Sequence, residues 1–266
     1  MVESVNRVAV SMITVRRQPV DYLVSTLVSL VESSRANSLD PRFRSLTIYN
    51  GDLNVVPMVH RLPRCIKDLT LPVVVRHNST NRVLTPAENA ARALDNSYRL
   101  GLEGDWVLFL EDDLLFCSNF LNSILLWLDH NAVDSRRVYS FGANYPQVQD
   151  IYDRGGDKWQ YPIDKFYGTQ CFAIRYSDAK SLADFLLTDP ESIKHPGAYD
   201  ISMQRWSREN YPSINYFLAS APSFVNHVGG NSAIRPGGES FNFPSWQGEN
   251  WQYVPTGSSA PQMVTK

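Results

Sequence analysis

Three consecutive carboxylates, Glu111-Asp112-Asp113, stand between Phe109-Leu110 and Leu114-Leu115-Phe116. An acid trio with apolar residues on both sides cannot be fully solvated, and a buried carboxylate needs a compensating cation. A divalent ion that favours oxygen ligands, Mn2+ or Mg2+, would neutralise such a cluster and could bridge it to a diphosphate. The trio also suits a plainer role, as acids ahead of a helix near Asn119 that complement its dipole. A further acid, Asp200, lies in Gly197-Ala-Tyr-Asp-Ile-Ser-Met203 at a helix start, a place where Asp commonly serves as a cap.

An alternation of strands and helices must position these groups. Residues 7–15 are apolar and β-branched and run into Arg16-Arg17-Gln18-Pro19, where proline ends a strand. From Val20 to Glu32, Tyr22, Leu23, Leu27, Leu30 and Val31 recur at helical spacing, with Asp21 in the first turn. Residues 45–49 and 72–75 read as the second and third strands, the former ending in the turn Asn50-Gly51-Asp52 and the latter in Arg76-His77-Asn78. Thr85-Pro86-Ala87-Glu88 is a helix start with a cap, a first-position proline and a capping box. Residues 105–110 are apolar on both faces, as a central parallel strand covered by helices must be. The acid trio therefore falls at the carboxyl end of a buried strand, where open α/β sheets bind ligands. The expected fold class is α/β, with a doubly wound, mostly parallel central sheet.

Beyond residue 116 the pattern loosens. Helices are expected over 119–128, 177–187 and 200–208, and strands over 137–141 and 172–174. Residues 144–165 read as a long polar-aromatic loop, and loops of about 20 residues in compact domains are usually functional. No repeat or internal boundary appears, so residues 1–235 are read as one domain. Residues 236–266 form a tail whose Phe241, Phe243, Trp246, Trp251 and Tyr253 argue for packing on or near the active site.

Composition narrows the class. With 266 residues, 43% hydrophobic and 20% charged, the chain is neither disordered, collagenous nor coiled-coil. The net charge of −2 is uneven: residues 35–100 hold ten Arg and Lys against five Asp and Glu, leaving the rest at −7. A basic stretch suits an anionic ligand, a nucleotide diphosphate or a nucleic acid, and equally a solvated surface. Three widely spaced cysteines, Cys65, Cys117 and Cys171, form neither a disulfide framework nor a zinc motif and fit a reducing compartment. No apolar run reaches the ~20 residues of a membrane span, and no signal peptide opens the chain, so a cytoplasmic protein is expected.

Four stretches, in order, carry a resemblance: Thr14-Val-Arg-Arg17 with residues 22–30; Asn89 with its helix leading into Leu110-Glu-Asp-Asp113; Asp200 with Trp206; and Pro222-Ser-Phe-Val-Asn-His227-Val-Gly with Ser232. Across roughly residues 8–235 the chain resembles GT-A fold glycosyltransferases, specifically the N-acetylglucosaminyltransferase IV family, in a soluble bacterial- or phage-type form. Against that family's pattern, no membrane anchor, lumenal stem or disulfide is expected here. The resemblance implies a Rossmann-like nucleotide-sugar-binding fold and an inverting, metal-dependent hexosyltransferase that uses a UDP-sugar donor.

Residue by residue, the resemblance implies Asp113 and His227 as metal ligands, the imidazole suiting Mn2+ better than Mg2+. Asp112 contacts the donor's ribose or sugar, and Glu111 and Asn89 belong to the donor site. Thr14, Val15 and Arg16 lie where the fold holds uracil and diphosphate. Asn50, Asp52 and Arg76 end neighbouring strands, either touching base or ribose or serving only as turn residues. Asp200 matches the catalytic base that takes the acceptor proton, with Asp157 and Asp164 as competitors. The implied acceptor is a glycan or a hydroxymethylated base in DNA, the assembly a monomer or weak homodimer without a membrane span. Two other classes compete: a catalytically inactive nucleotide-sugar- or carbohydrate-binding module, and a metal-dependent nucleotidyltransferase.

Overall fold

The computed structural model describes residues 7–16, 21–35, 37–53, 60–98, 105–132, 138–229 and 242–255. Its first half follows the alternation: β1 (Val8–Thr14), α1 (Leu23–Ser34), β2 (Phe43–Asn50), β3 (Val73–Arg76), α2 (Pro86–Tyr98) and β4 (Trp106–Leu110). Strand β1 pairs in parallel with both β2 and β4, and β2 in parallel with β3. Side chains alternate across these strands, so that Val8, Val10, Met12, Leu108 and Leu110 join α1 in one core while Ile13, Val107 and Phe109 join α2 in the other. Helix α1 starts later than the periodicity suggests. Tyr22 is its N-cap, and Asp21 lies outside the helix instead of in its first turn.

The second half is mixed. It comprises β5 (Leu114–Phe116), α3 (Phe120–Asn131), β6 (Tyr139–Ser140), α4 (Pro146–Asp153), β7 (Lys158–Pro162), β8 (Cys171–Arg175), α5 (Tyr176–Thr188), α6 (Pro190–Lys194), α7 (Tyr199–Asn210), β9 (Tyr216–Ser220) and β10 (Val225–His227). The main sheet runs β3-β2-β1-β4-β8-β6-β9-β7, and β5 pairs separately with β10. Among the described residues four of the seven pairings in the main sheet are parallel; β8 runs against both β4 and β6, and β7 against β9. The sheet is thus mostly parallel but not doubly wound throughout. The reversal at β8 has a local cause: the chain arrives there at the carboxyl end of β4, where the Glu111 amide donates to the Gln170 carbonyl at 2.8 Å.

The loop expected over 144–165 is absent. Pro146 opens α4, and β7 closes the edge of the sheet. Within β7, Trp159 and Tyr161 stack at 4.6 Å between ring centroids while Lys158 and Gln160 face solvent, so a strand alternation was disguised by aromatic residues in place of aliphatic ones. Residues 242–255 pack along β10, the turn before it and the start of β7. Phe243 and Tyr253 are buried in the core. The Phe243 amide donates to Asn226 Oδ1 at 3.0 Å, the Ser223 amide to Ser245 Oγ at 3.1 Å, and Tyr253 OH to Asp157 Oδ2 at 2.9 Å. Among the described residues no helix is long and apolar enough to cross a membrane.

Candidate active site

Strand β4 ends at Leu110, and the next three residues turn the chain into β5, which pairs antiparallel with β10 so that His227 stands opposite Leu114. That pairing returns an imidazole to the acid trio from 114 residues away. His227 Nε2 lies 3.2 Å from Asp113 Oδ2, and the Val228 amide donates to the Asp113 carbonyl at 2.9 Å. Donor atoms of Glu111, Asp113 and His227 all lie within 4.8 Å of one another. Two carboxylates and one imidazole at this separation fit a divalent cation such as Mn2+. Glu111, expected only as a donor-site residue, thereby joins the two expected ligands. Gly229 shows how tightly the β10 end packs here: a Cβ on it would overlap Asp113 Oδ2. The helix-dipole reading of the trio is set aside, because β5 intervenes before α3, whose N-cap is Asn119.

Asp112 points elsewhere. Its Oδ2 accepts from Thr14 Oγ1 at 2.5 Å, and Thr14 Oγ1 in turn accepts from Arg61 Nη2 at 3.1 Å. Arg61 is itself paired with Asp21 through bonds of 2.8 and 2.9 Å. Burial opposes ionisation of Asp21, but the Arg61 hydrogen bond and charge outweigh it and hold the carboxyl below its usual range. Thr26 secures the turn from below, donating to the Asp112 carbonyl at 2.7 Å while accepting from the Leu114 amide at 3.0 Å. Sequence reading missed Arg61. It lies in His60-Arg61-Leu62-Pro63, outside any periodic element, and its partners are 40 and 47 residues away.

The remaining expected donor-site residues divide into two groups. Asn89 is buried, and its Nδ2 donates to the carbonyls of Thr14 at 3.2 Å and Tyr49 at 3.1 Å, tying the ends of β1 and β2 together. Buried Asn50 accepts the Asp52 amide at 3.1 Å, a turn-forming contact, and half-buried Val15 and exposed Arg16 continue from β1. Arg76, by contrast, is exposed at the end of edge strand β3, three strands from β4, which at the usual strand spacing is about 14 Å. The structure brings Thr14, Asn50 and Asn89 together and leaves Arg76 at the margin.

Asp200 sits in the first turn of α7, after the N-cap Ala198, so the capping reading fails on position. Its Oδ1 accepts its neighbour Ile201's amide at 3.0 Å, yet burial dominates and raises its pKa above the usual carboxylate value. The preceding Tyr199 donates its hydroxyl to Glu111 Oε1, linking this helix to the trio. The two competitors do not share that setting. Asp157 is committed to Tyr253 and to Asn131 Nδ2 at 3.2 Å, and Asp164 is exposed on a 3₁₀ turn over Ile163–Lys165. Among the aromatics, Tyr161 is fully buried, and Trp251 packs edge-on to Tyr152 and tilted against Phe224.

No protein-family model and no curated protein matches the sequence. Solved structures do match. S. aureus TarS 1–349 superposes with a TM-score of 0.53 at 16% identity, covering 85% of this chain and 61% of that one. The same fragment in complex with UDP gives 0.50 at 17% identity, covering 81% and 58%. The chain thus spans less than two thirds of the length of the fragment it matches. At such identity the likeness is one of architecture: a mixed α/β fold of the GT-A kind with a large, mostly parallel sheet.

Proposed function

We propose that the protein is a metal-dependent glycosyltransferase that moves a sugar from a UDP-sugar to an acceptor hydroxyl with inversion, as its resemblance to the N-acetylglucosaminyltransferase IV family implies. The observation that carries this reading is the meeting of Glu111, Asp113 and His227 within 4.8 Å at the carboxyl end of β4. The UDP complex of the structurally similar TarS supports a uridine nucleotide. Glu111, Asp113 and His227 would hold Mn2+ or Mg2+, which when bound offsets the charge of a departing diphosphate. Asp112, oriented by Thr14, is read as a contact to ribose or sugar. Thr14, Val15, Arg16, Asn50, Asp52 and Asn89 surround the strand ends that would receive uracil and ribose, and Arg76 could reach only the edge of such a ligand.

Asp200 is the proposed base. Its raised proton affinity suits a group that must take a proton near neutral pH, and direct attack by the acceptor oxygen then needs no covalent intermediate on the protein. A carboxylate so placed favours turnover over a purely binding role. Residues 242–255 brace the strand that carries His227, which supports reading 1–235 as one domain followed by a tail; 236–241 and 256–266 of that tail lie outside the described residues. The free cysteines suit a reducing, cytoplasmic setting. The test is mass-spectrometric detection of UDP release from UDP-glucose, UDP-galactose and UDP-N-acetylglucosamine, with Mn2+ and with EDTA. Metal-dependent release from one donor is expected. UDP binding without turnover of any donor would favour the inactive-binder reading, and equal activity in EDTA would overturn the metal assignment.

A further inference from the structure

We infer that Arg61 is a positioning residue of this site: through Thr14 it fixes the side chain of Asp112 as an acceptor for a hydroxyl of the donor. The inference rests on the transferase reading and deepens it by naming what holds a donor contact in place. Arg61, Thr14 and Asp112 are all buried. Arg61 grips Asp21 with Nε at 2.8 Å and Nη2 at 2.9 Å, and the same Nη2 donates to Thr14 Oγ1 at 3.1 Å. A guanidinium has donors and no acceptor, and a hydroxyl has a single proton. Thr14 must therefore accept from Arg61 and spend its own proton on Asp112 Oδ2. Arg61 thus sets the direction of the bond that orients Asp112, although it touches Asp112 through neither of these bonds itself.

The network closes on itself. Asp21 also accepts the Leu23 amide at 3.4 Å where α1 begins, and from the same helix Thr26 donates to the Asp112 carbonyl at 2.7 Å and accepts the Leu114 amide at 3.0 Å. Asp112 is held by its side chain through Thr14 and Arg61 and by its backbone through Thr26, and both routes are anchored on residues 21–26. Its neighbour Asp113 turns the other way, with Oδ2 at 3.2 Å from His227 Nε2. An ionised carboxylate offers acceptor lone pairs alone, which suit a ribose or sugar hydroxyl and repel a diphosphate. Arg61 should therefore bear on donor affinity and leave the metal cluster untouched. A residue that merely held the fold together would not produce that split.

The experiment is calorimetric titration of the full chain with UDP, UDP-glucose, UDP-galactose and UDP-N-acetylglucosamine in Mn2+, with Mn2+ affinity at saturating UDP read by electron paramagnetic resonance. Arg61→Met should weaken at least one of these nucleotides about three- to tenfold, the fold-change of one ordinary hydrogen bond, while Mn2+ affinity stays within about twofold of wild type. Arg61→Lys, which keeps the charge but not the fork, should fall between the two. Thr14→Val should match the loss and Thr14→Ser should avoid it. Arg61→Met added to Thr14→Val should cost nothing more, because Arg61 acts through that hydroxyl. Should Arg61→Met not fold, Asp21→Asn, which keeps the guanidinium but loosens its anchor, is read in its place with the same direction of change. Nucleotide affinity unchanged in the variant read, an undiminished further loss in the Thr14→Val background, or a parallel loss of Mn2+ affinity would each overturn the positioning role and leave the donor reading standing. Failure of wild type to bind any of the four nucleotides would instead sink the donor reading, and the role with it.

Discussion

The two halves of the molecule hold their candidate site residues by different means. In β1–β4 the strands are parallel neighbours, so Thr14 and Asn50 meet at one edge, and Asn89 reaches them from the first turn of α2. Beyond β4 the order is β8-β6-β9-β7, β6 is two residues long, and the acid trio is gathered by side-chain bonds across long sequence separations, Tyr199 of α7 to Glu111 and His227 of β10 to Asp113. A binding surface made from consecutive strand ends tolerates change at any one residue. A reaction centre made from single distant contacts does not, and substitutions should separate the two halves accordingly.

The largest effect is expected at their junction. Asp113→Ala removes a proposed charged ligand and, on that reading, several kcal/mol of transition-state stabilisation, so metal-dependent UDP release should fall by about 10⁴-fold while circular dichroism is unchanged. Residual turnover that still responds to Mn2+ would show that Glu111 and His227 suffice. Next comes Asp200→Asn, which keeps the shape and can still accept the Ile201 amide but cannot take a proton; transfer should drop by about 10²–10⁴-fold with UDP affinity intact.

Asp200 also predicts a pH signature. Because burial raises its folded pKa, the folded state holds this proton more tightly than the unfolded chain. Stability attributable to Asp200 therefore declines as pH rises from the unfolded value of about 3.8 to the higher folded one, and turnover rises over the folded titration. Urea denaturation at neutral pH should find Asp200→Asn as stable as wild type or more so. A clear loss of stability would mark Asp200 as structural.

Smaller effects sharpen the contrast. Gly229→Ala should push the β10 end off Asp113 and weaken Mn2+ binding by about 10–100-fold, the range seen when the groups that orient metal ligands are disturbed; titration of metal-dependent UDP release reads it directly. Unaltered Mn2+ dependence would mean the end of β10 relaxes without moving Asp113. Thr85→Ala, which removes the α2 cap accepting the Glu88 amide at 3.2 Å, should cost only about 1 kcal/mol in urea denaturation and leave turnover unchanged. Loss of activity in that variant would show that even the first half depends on single contacts.

Legibility in the sequence follows the same division. The capping box at Thr85 and Glu88 is present as read, with the Thr85 amide donating to Glu88 Oε2 at 2.9 Å, because both partners lie within one helical turn. Strand β4 was legible because burial on both faces makes it continuously apolar. Strands β7, β9 and β10 were not: β10 is three residues long, β7 is built on aromatic residues, and each exists only through pairing with a distant partner. Arg61 escaped for the same reason, its place being set by Asp21 and Thr14 and by no local pattern.

What the residues alone determined was therefore the local chemistry: an α/β alternation, an acidic turn after a buried strand, and a carboxylate at a helix start. Periodicity and capping act over a few residues, within the reach of a linear reading. Tertiary structure decided which groups meet. It turned Asp112 toward Thr14 and Asp113 toward His227, brought Glu111 into the same cluster, set Asp157 against Tyr253, and moved Arg76 to the margin. Those outcomes depend on strand order and on contacts spanning up to 114 residues, which no short-range pattern encodes.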